Sequence, residues 1–155
     1  MGEGASWILL GALAALLLAA AICDIRKREI PHWTVIAIAL LAIPFWLSEG
    51  LAFWPDMALQ IGVASLVFAI FAAMFAFGWM GGGDVKLLAA LALWLPWQAL
   101  LLMLVIMSFA GGALTVGMLV WTKLKRGPNP EIPYGVAIAF AGLWLIGERF
   151  LNQFG

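Results

Sequence analysis

Five charge-free runs, residues 4–23, 30–48, 57–83, 87–122 and 132–147, measure 20, 19, 27, 36 and 16 residues and take up 118 of the chain's 155 positions. A soluble domain is about a quarter charged and cannot supply such runs. One crossing of the hydrocarbon takes roughly 20 apolar residues, so the runs amount to about six crossings. The 37 residues that remain for loops and ends exclude an appended soluble domain or a nucleotide-binding module of ordinary size. The sequence therefore predicts an all-α integral membrane protein, a bundle of about six transmembrane helices forming a single transmembrane domain over residues 1–155, with the lipid bilayer as its main partner.

Charge placement sets the expected threading. Eight bases balance eight acids, so the chain has no general attraction to nucleic acid. The bases fall into three clusters, Arg26-Lys27-Arg28, Lys86 and Lys123-Lys125-Arg126, with Arg149 apart. Putting all three clusters in the cytoplasm satisfies the positive-inside rule with seven of eight bases. The N-terminus is then outside, with crossings near 6–23 and 33–48, an external loop around Glu49 to Asp56 and a return near 57–79. The 36-residue run must cross twice; Pro96 offers the break, with a short first helix of about 12 residues from Asp84 to Leu95, and Gly111-Gly112 is the competing break. A last crossing near 133–148 leaves the C-terminus outside as well.

The first run is not expected to be a removable leader, because Glu3 and no base precedes it, and bulky Ile22 before Cys23 does not suit a lipoprotein site. With Cys23 the sole cysteine, no internal disulfide or multi-cysteine zinc site can form, and no metal or other cofactor is expected. Trp33, Trp46, Trp54, Trp79, Trp97 and Trp121 fall near proposed helix ends and read as interfacial anchors. Gly111-Gly112 and Gly142 suit close helix packing, within one chain or between two, and the oligomeric state is left open.

Acidic groups at the edge of hydrocarbon are costly and need a reason. Asp24 and Asp84 stand sixty positions apart, each at the cytoplasmic end of an expected helix. Two carboxylates across a partly dry cleft share one proton and supply an acid and a base together. The plainer account pairs Asp24 with Arg26 or Arg28 and makes Asp84 a helix N-cap. Gly81-Gly82-Gly83 just before Asp84 adds backbone freedom and room for another chain to approach. Ile30-Pro31 and Ile132-Pro133 each lie where a cytoplasmic loop re-enters a helix, which suits helix initiation.

Asp24 with its following bases and Ile30-Pro31, then Gly81-Gly82-Gly83-Asp84-Val85-Lys86, then Ile132-Pro133-Tyr134-Gly135, resembles the type IV prepilin peptidases, membrane aspartic proteases of the GxGD class. The resemblance runs over roughly residues 10–145. It implies that Asp24 and Asp84 are the catalytic pair, that Gly81 and Gly83 are the GxGD glycines, and that Gly82 and Lys86 belong to the same active-site loop. Ile30, Pro31, Ile132, Pro133, Tyr134 and Gly135 would form loops on the substrate side. It further implies a prepilin substrate, with a basic leader joined to an apolar helix, and a place in the inner membrane of a bacterium. His32 stands where the family often has Asn. The cysteine-rich domain of the large bifunctional members is absent, so the chain is similar to the short form of Flp-type, tight-adherence systems, and N-methyltransferase activity is not expected.

Two rival readings use the same aspartates. A lipoprotein signal peptidase needs its carboxylates outside and about four crossings, against the basic bias. A proton-coupled transporter or channel subunit needs acidic groups along a path, whereas here they gather at one end. A structural scaffold would tolerate loss of either Asp.

Overall fold

The computed structural model describes residues 2–128 and 131–154 and contains six helices: α1 (Gly2–Lys27), α2 (His32–Ser48), α3 (Ala58–Ala76), α4 (Gly82–Ala92), α5 (Trp97–Lys125) and α6 (Tyr134–Phe154). A π-helical turn, Phe53–Met57, leads into α3, and no strand occurs among the described residues. Four segments are long and apolar enough to cross a membrane: Glu3–Lys27, Phe53–Ala76, Trp97–Lys125 and Tyr134–Asn152. Helix α2 falls just short at 17 residues. The last cytoplasmic loop expected from the sequence, Lys123 to Tyr134, includes Asn129 and Pro130, which lie outside the described residues.

Local chemistry explains where the helices stop. Gly78, at φ +74°, closes α3 because it adopts a left-handed shape that a side chain resists. Its amide bonds Phe75 O at 2.9 Å and the next amide, of Trp79, bonds Met74 O at 3.0 Å, the paired bonds of a Schellman turn. Gly50 ends α2 by the same device. Pro31 occupies the N-cap of α2 and Pro96 that of α5, where a missing N–H costs nothing. The break at Pro96 is therefore the real one. Gly111-Gly112 lies inside an unbroken α5, and Gly111 serves packing instead.

The packing glycines act within one chain. A Cβ on Gly111 would sit 3.4 Å from the Tyr134 ring of α6, and one on Gly142 would sit 3.0 Å from Leu17 Cδ1 of α1. Small residues let helices approach where lipid supplies no hydrophobic drive to associate. Gly112 faces open space.

Helix α4 is the centre of the bundle and packs against α2, α3 and α6. Its Leu87, Leu88, Leu91 and Ala92 are buried. Eleven residues make a rod of about 16 Å, roughly half the hydrocarbon thickness, and the end of the helix leaves its last carbonyls for other groups to satisfy. Side chains do so. Trp46 Nε1 donates to Leu93 O at 2.7 Å, and Gln60 Nε2 donates to Ala92 O at 2.9 Å and to Leu95 O. In return Trp94 Nε1 donates to Ile38 O at 2.8 Å, and the Trp94 ring stacks on Phe45. Trp46 is thus a buried tether, 6% exposed, which corrects its reading as a surface anchor. Trp33, Trp54, Trp79, Trp97 and Trp121 are exposed, as anchors must be.

The helices alternate in direction. The α1–α2, α3–α4 and α5–α6 connections contribute to one cleft at one end of the bundle. The start of α1, the α2–α3 and α4–α5 turns and the end of α6 line a crevice at the other. Arg149 bonds Glu49 at 2.7 Å there, tying the end of α6 to the end of α2. The seven clustered bases accordingly belong to the cleft end and Arg149 to the far end.

Candidate active site

Asp24 sits one turn before the end of α1, and its main-chain oxygen accepts the Arg28 amide at 3.0 Å. Arg28, at φ +56°, turns the chain out of the helix and into the loop that carries Ile30 and Pro31. Thr34, fully buried, donates its hydroxyl to Pro31 O at 2.6 Å and its amide to the same oxygen at 3.2 Å, which pins that loop to the first turn of α2. Nothing in the sequence pattern marked Thr34; its signal is a hydroxyl three residues after a proline that opens a helix.

Asp84 lies in the first turn of α4, which places its carboxylate near the positive end of the helix dipole. It is not the N-cap. Gly81 holds that position, with extended backbone at φ −73° and no side-chain cap. None of Gly81, Gly82 and Gly83 has a positive φ, so the triple glycine does not supply unusual backbone shape, as the sequence had suggested. It supplies space. A Cβ on Gly81 would fall 3.1 Å from Asp84 Oδ2, one on Gly82 3.3 Å from the Phe75 ring, and one on Gly83 3.3 Å from Ile30 Cβ.

Both aspartates are buried, at 5% and 9% exposure, yet both line one cleft of about 920 Å³. They lie close enough for the charge of Asp24 to act on Asp84. The plain pairing of Asp24 with Arg26 or Arg28 does not form as an ion pair. The amides of Val136 and Gly135, at the start of α6, approach Asp24, but its Oδ2 meets no donor with hydrogen-bond geometry.

The other residues singled out in the sequence divide between the cleft and its backing. Ile30, Pro31, His32, Gly81, Gly82, Gly83, Ile132 and Tyr134 line the cleft. Gly135 is buried behind it, where a Cβ would meet Asp24 Oδ2 at 2.7 Å and Ile30 Cδ1 at 2.8 Å. Pro133 is buried and Lys86 is exposed on α4; neither lines the cleft. Among the described residues no three His, Cys, Asp or Glu side chains are grouped to hold a metal ion.

The sequence pattern of the type IV leader peptidase family matches residues 11–116, a stretch that includes Asp24, Ile30-Pro31 and the Gly81–Lys86 segment. The chain belongs to the type IV leader peptidase family. Among its relatives, the prepilin leader peptidase/N-methyltransferase of Aeromonas hydrophila is 32% identical over 87% of this chain and 49% of its own length. The proteins of that name from Pectobacterium carotovorum and Neisseria gonorrhoeae are 29% and 28% identical, over 93% and 92% of this chain and 54% and 50% of their own lengths. The chain spans about half the length of these curated relatives. No solved structure matches it. For a leader peptidase family member, the part of the site outside the family match is the Glu131–Gly135 segment, of which Glu131, Ile132 and Tyr134 line the cleft.

Proposed function

We propose that this chain is a membrane-embedded aspartic endopeptidase that removes the leader of a prepilin at the cytoplasmic face of the inner membrane. The observation that supports this most strongly is the meeting of Asp24 and Asp84, from α1 and α4, in one cleft at the end of an apolar helix bundle. Family membership and the relatives' names support the choice of reaction and substrate. The N-methyltransferase half of those names is said of the relatives, and our reading covers the peptidase alone.

The chemistry needs only water and the two carboxyl groups. One, ionised, takes a proton from water as the oxygen adds to the scissile carbonyl carbon; the other, protonated, donates a hydrogen bond to the carbonyl oxygen, where negative charge develops. The tetrahedral adduct then collapses, the C–N bond breaks, and the leaving nitrogen takes a proton from the group that first removed one. With that proton returned, both carboxyl groups stand in their starting protonation states and each can repeat its role.

Orientation follows from the positive-inside rule. With seven of eight bases at the cleft end, that end belongs in the cytoplasm and both termini outside. A leader held inside by its own positive charge, joined to an apolar helix, would bring its junction to this depth. No observation on the molecule favours the transporter alternative.

The test is co-expression of the intact chain with candidate prepilins, reading the mass of the pilin. Wild type shortens it; Asp24→Asn and Asp84→Asn each leave it full-length while remaining inserted and folded. Cleavage by either variant overturns the assignment.

A further inference from the structure

We propose that Ile30 is a positioning residue, a wedge whose side chain sets the separation of the two aspartates. The inference rests on the reading of Asp24 and Asp84 as the reacting pair. Ile30 belongs to the α1–α2 loop, yet it is buried to 6% exposure beside a cleft whose other loop residues are largely open. Its side chain fills the space that two glycines leave by having no Cβ. Toward α4, Ile30 Cβ lies 3.3 Å from the place a Cβ on Gly83 would take, and Gly83 immediately precedes Asp84. Toward α6, Ile30 Cδ1 lies 2.8 Å from the corresponding point on Gly135, which itself lies 2.7 Å from Asp24 Oδ2.

One side chain therefore spans the gap between the backbone that carries Asp84 and the backbone that supports Asp24. Both neighbours are glycines, with no side chain of their own to yield, so the width of residue 30 bears on how closely the two main-chain segments can approach. The β-branch adds stiffness, because χ1 of isoleucine has few choices once the loop is fixed. That loop is fixed, by the Thr34 hydroxyl and amide on Pro31 O. A shift of about 1 Å in a reacting pair can cost a factor on the order of a hundred in rate, whereas binding of a long apolar substrate helix draws on many contacts elsewhere. Ile30 should thus affect turnover far more than substrate affinity.

The experiment measures kcat and KM for prepilin cleavage by the purified intact chain in detergent micelles, with melting temperature recorded for each variant. Ile30→Ala should lower kcat by about tenfold or more and leave KM within about twofold. Gly135→Ala should also lower kcat, because its new methyl meets Ile30 Cδ1 and Asp24 Oδ2. Ile30→Val lacks only Cδ1 and should lower kcat in the same direction by a smaller factor, again with KM within about twofold. Wild-type kcat in Ile30→Ala, or a loss confined to KM, overturns the proposal. If Ile30→Ala does not fold, wild-type kcat in Ile30→Val overturns it. Cleavage by Asp24→Asn would sink the peptidase reading instead, and is read separately.

Discussion

Trp46 of α2 donates its indole N–H to the main-chain oxygen of Leu93, just past the end of α4, at 2.7 Å. This bond satisfies a carbonyl left open at the end of a half-length helix. Helix α4 is what carries Asp84, so the site at one end depends on polar tethers at the other.

Replacing Trp46 by Phe keeps most of the buried ring and removes the donor. It should lower stability by about 0.6–1.7 kcal/mol, the range for interhelical hydrogen bonds in membranes. Trp94→Phe should cost less, because its acceptor Ile38 O lies within α2, where the helical ladder already uses that oxygen, and the stack on Phe45 survives. Unfolding in detergent, followed by tryptophan fluorescence or circular dichroism, compares the two. Equal losses would mean that the carbonyl beyond α4 is satisfied in another way.

Gly81→Ala tests whether the glycines provide room. Its methyl would fall 3.1 Å from Asp84 Oδ2, closer than ordinary contact, so the carboxyl must turn or shift. Cleavage should fall by about tenfold with the fold intact. Gly62→Ala on α3 meets nothing within 4 Å and should leave cleavage unchanged, with stability equal or about 0.5–1 kcal/mol higher from helix propensity. A fully active Gly81→Ala would remove the steric argument for that position.

Much of this architecture could be read from the chain before folding. The charge-free runs located the helices, Pro96 located the break between α4 and α5, and the three basic clusters grouped the loops that later meet at the cleft. Asp24 and Asp84 stood out because charge is rare in such a sequence. What stayed hidden depends on three-dimensional neighbours. Trp46 looks like any interfacial tryptophan until the end of α4 is found beside it. Gln60, inside a charge-free run, shows its use only when its amide is found on the Ala92 carbonyl. Gly81, Gly82 and Gly83 suggested unusual backbone, but only packing distances reveal that their missing side chains matter more than their φ angles. Gly111 and Gly142 could not be assigned to one chain or two until α1, α5 and α6 were seen together.

Glu49 offers a pH-dependent contact at the far end. Burial raises its pKa, but the Arg149 hydrogen bond, a bond from Ser6 and the Arg149 charge outweigh that and hold it below the ordinary 4.5. A depressed folded-state pKa adds stability above the unfolded value, and that contribution disappears as pH falls through the folded one. With the Arg149 side chain 44% exposed, solvent screening keeps the pair to at most about 1 kcal/mol. Glu49→Gln should therefore melt slightly below wild type at pH 7, and the difference should close as the pH drops below about 4. A gap that persists in acid would assign the effect to packing.

Cysteine labelling reads the orientation on which cytoplasmic cleavage depends. Cys23 is the only natural thiol, so a Cys23→Ala background accepts single probes. Lys125→Cys lies at the basic end and Ala52→Cys in the turn between α2 and α3 at the other; both positions are exposed. With seven of eight bases at the cleft end, a membrane-impermeant maleimide should reach Ala52→Cys in intact spheroplasts and Lys125→Cys only after lysis. The reverse pattern would turn the cleft outward. It would leave the two aspartates in place but put them on the wrong side for a leader retained in the cytoplasm, so the substrate, rather than the chemistry, would have to be reconsidered.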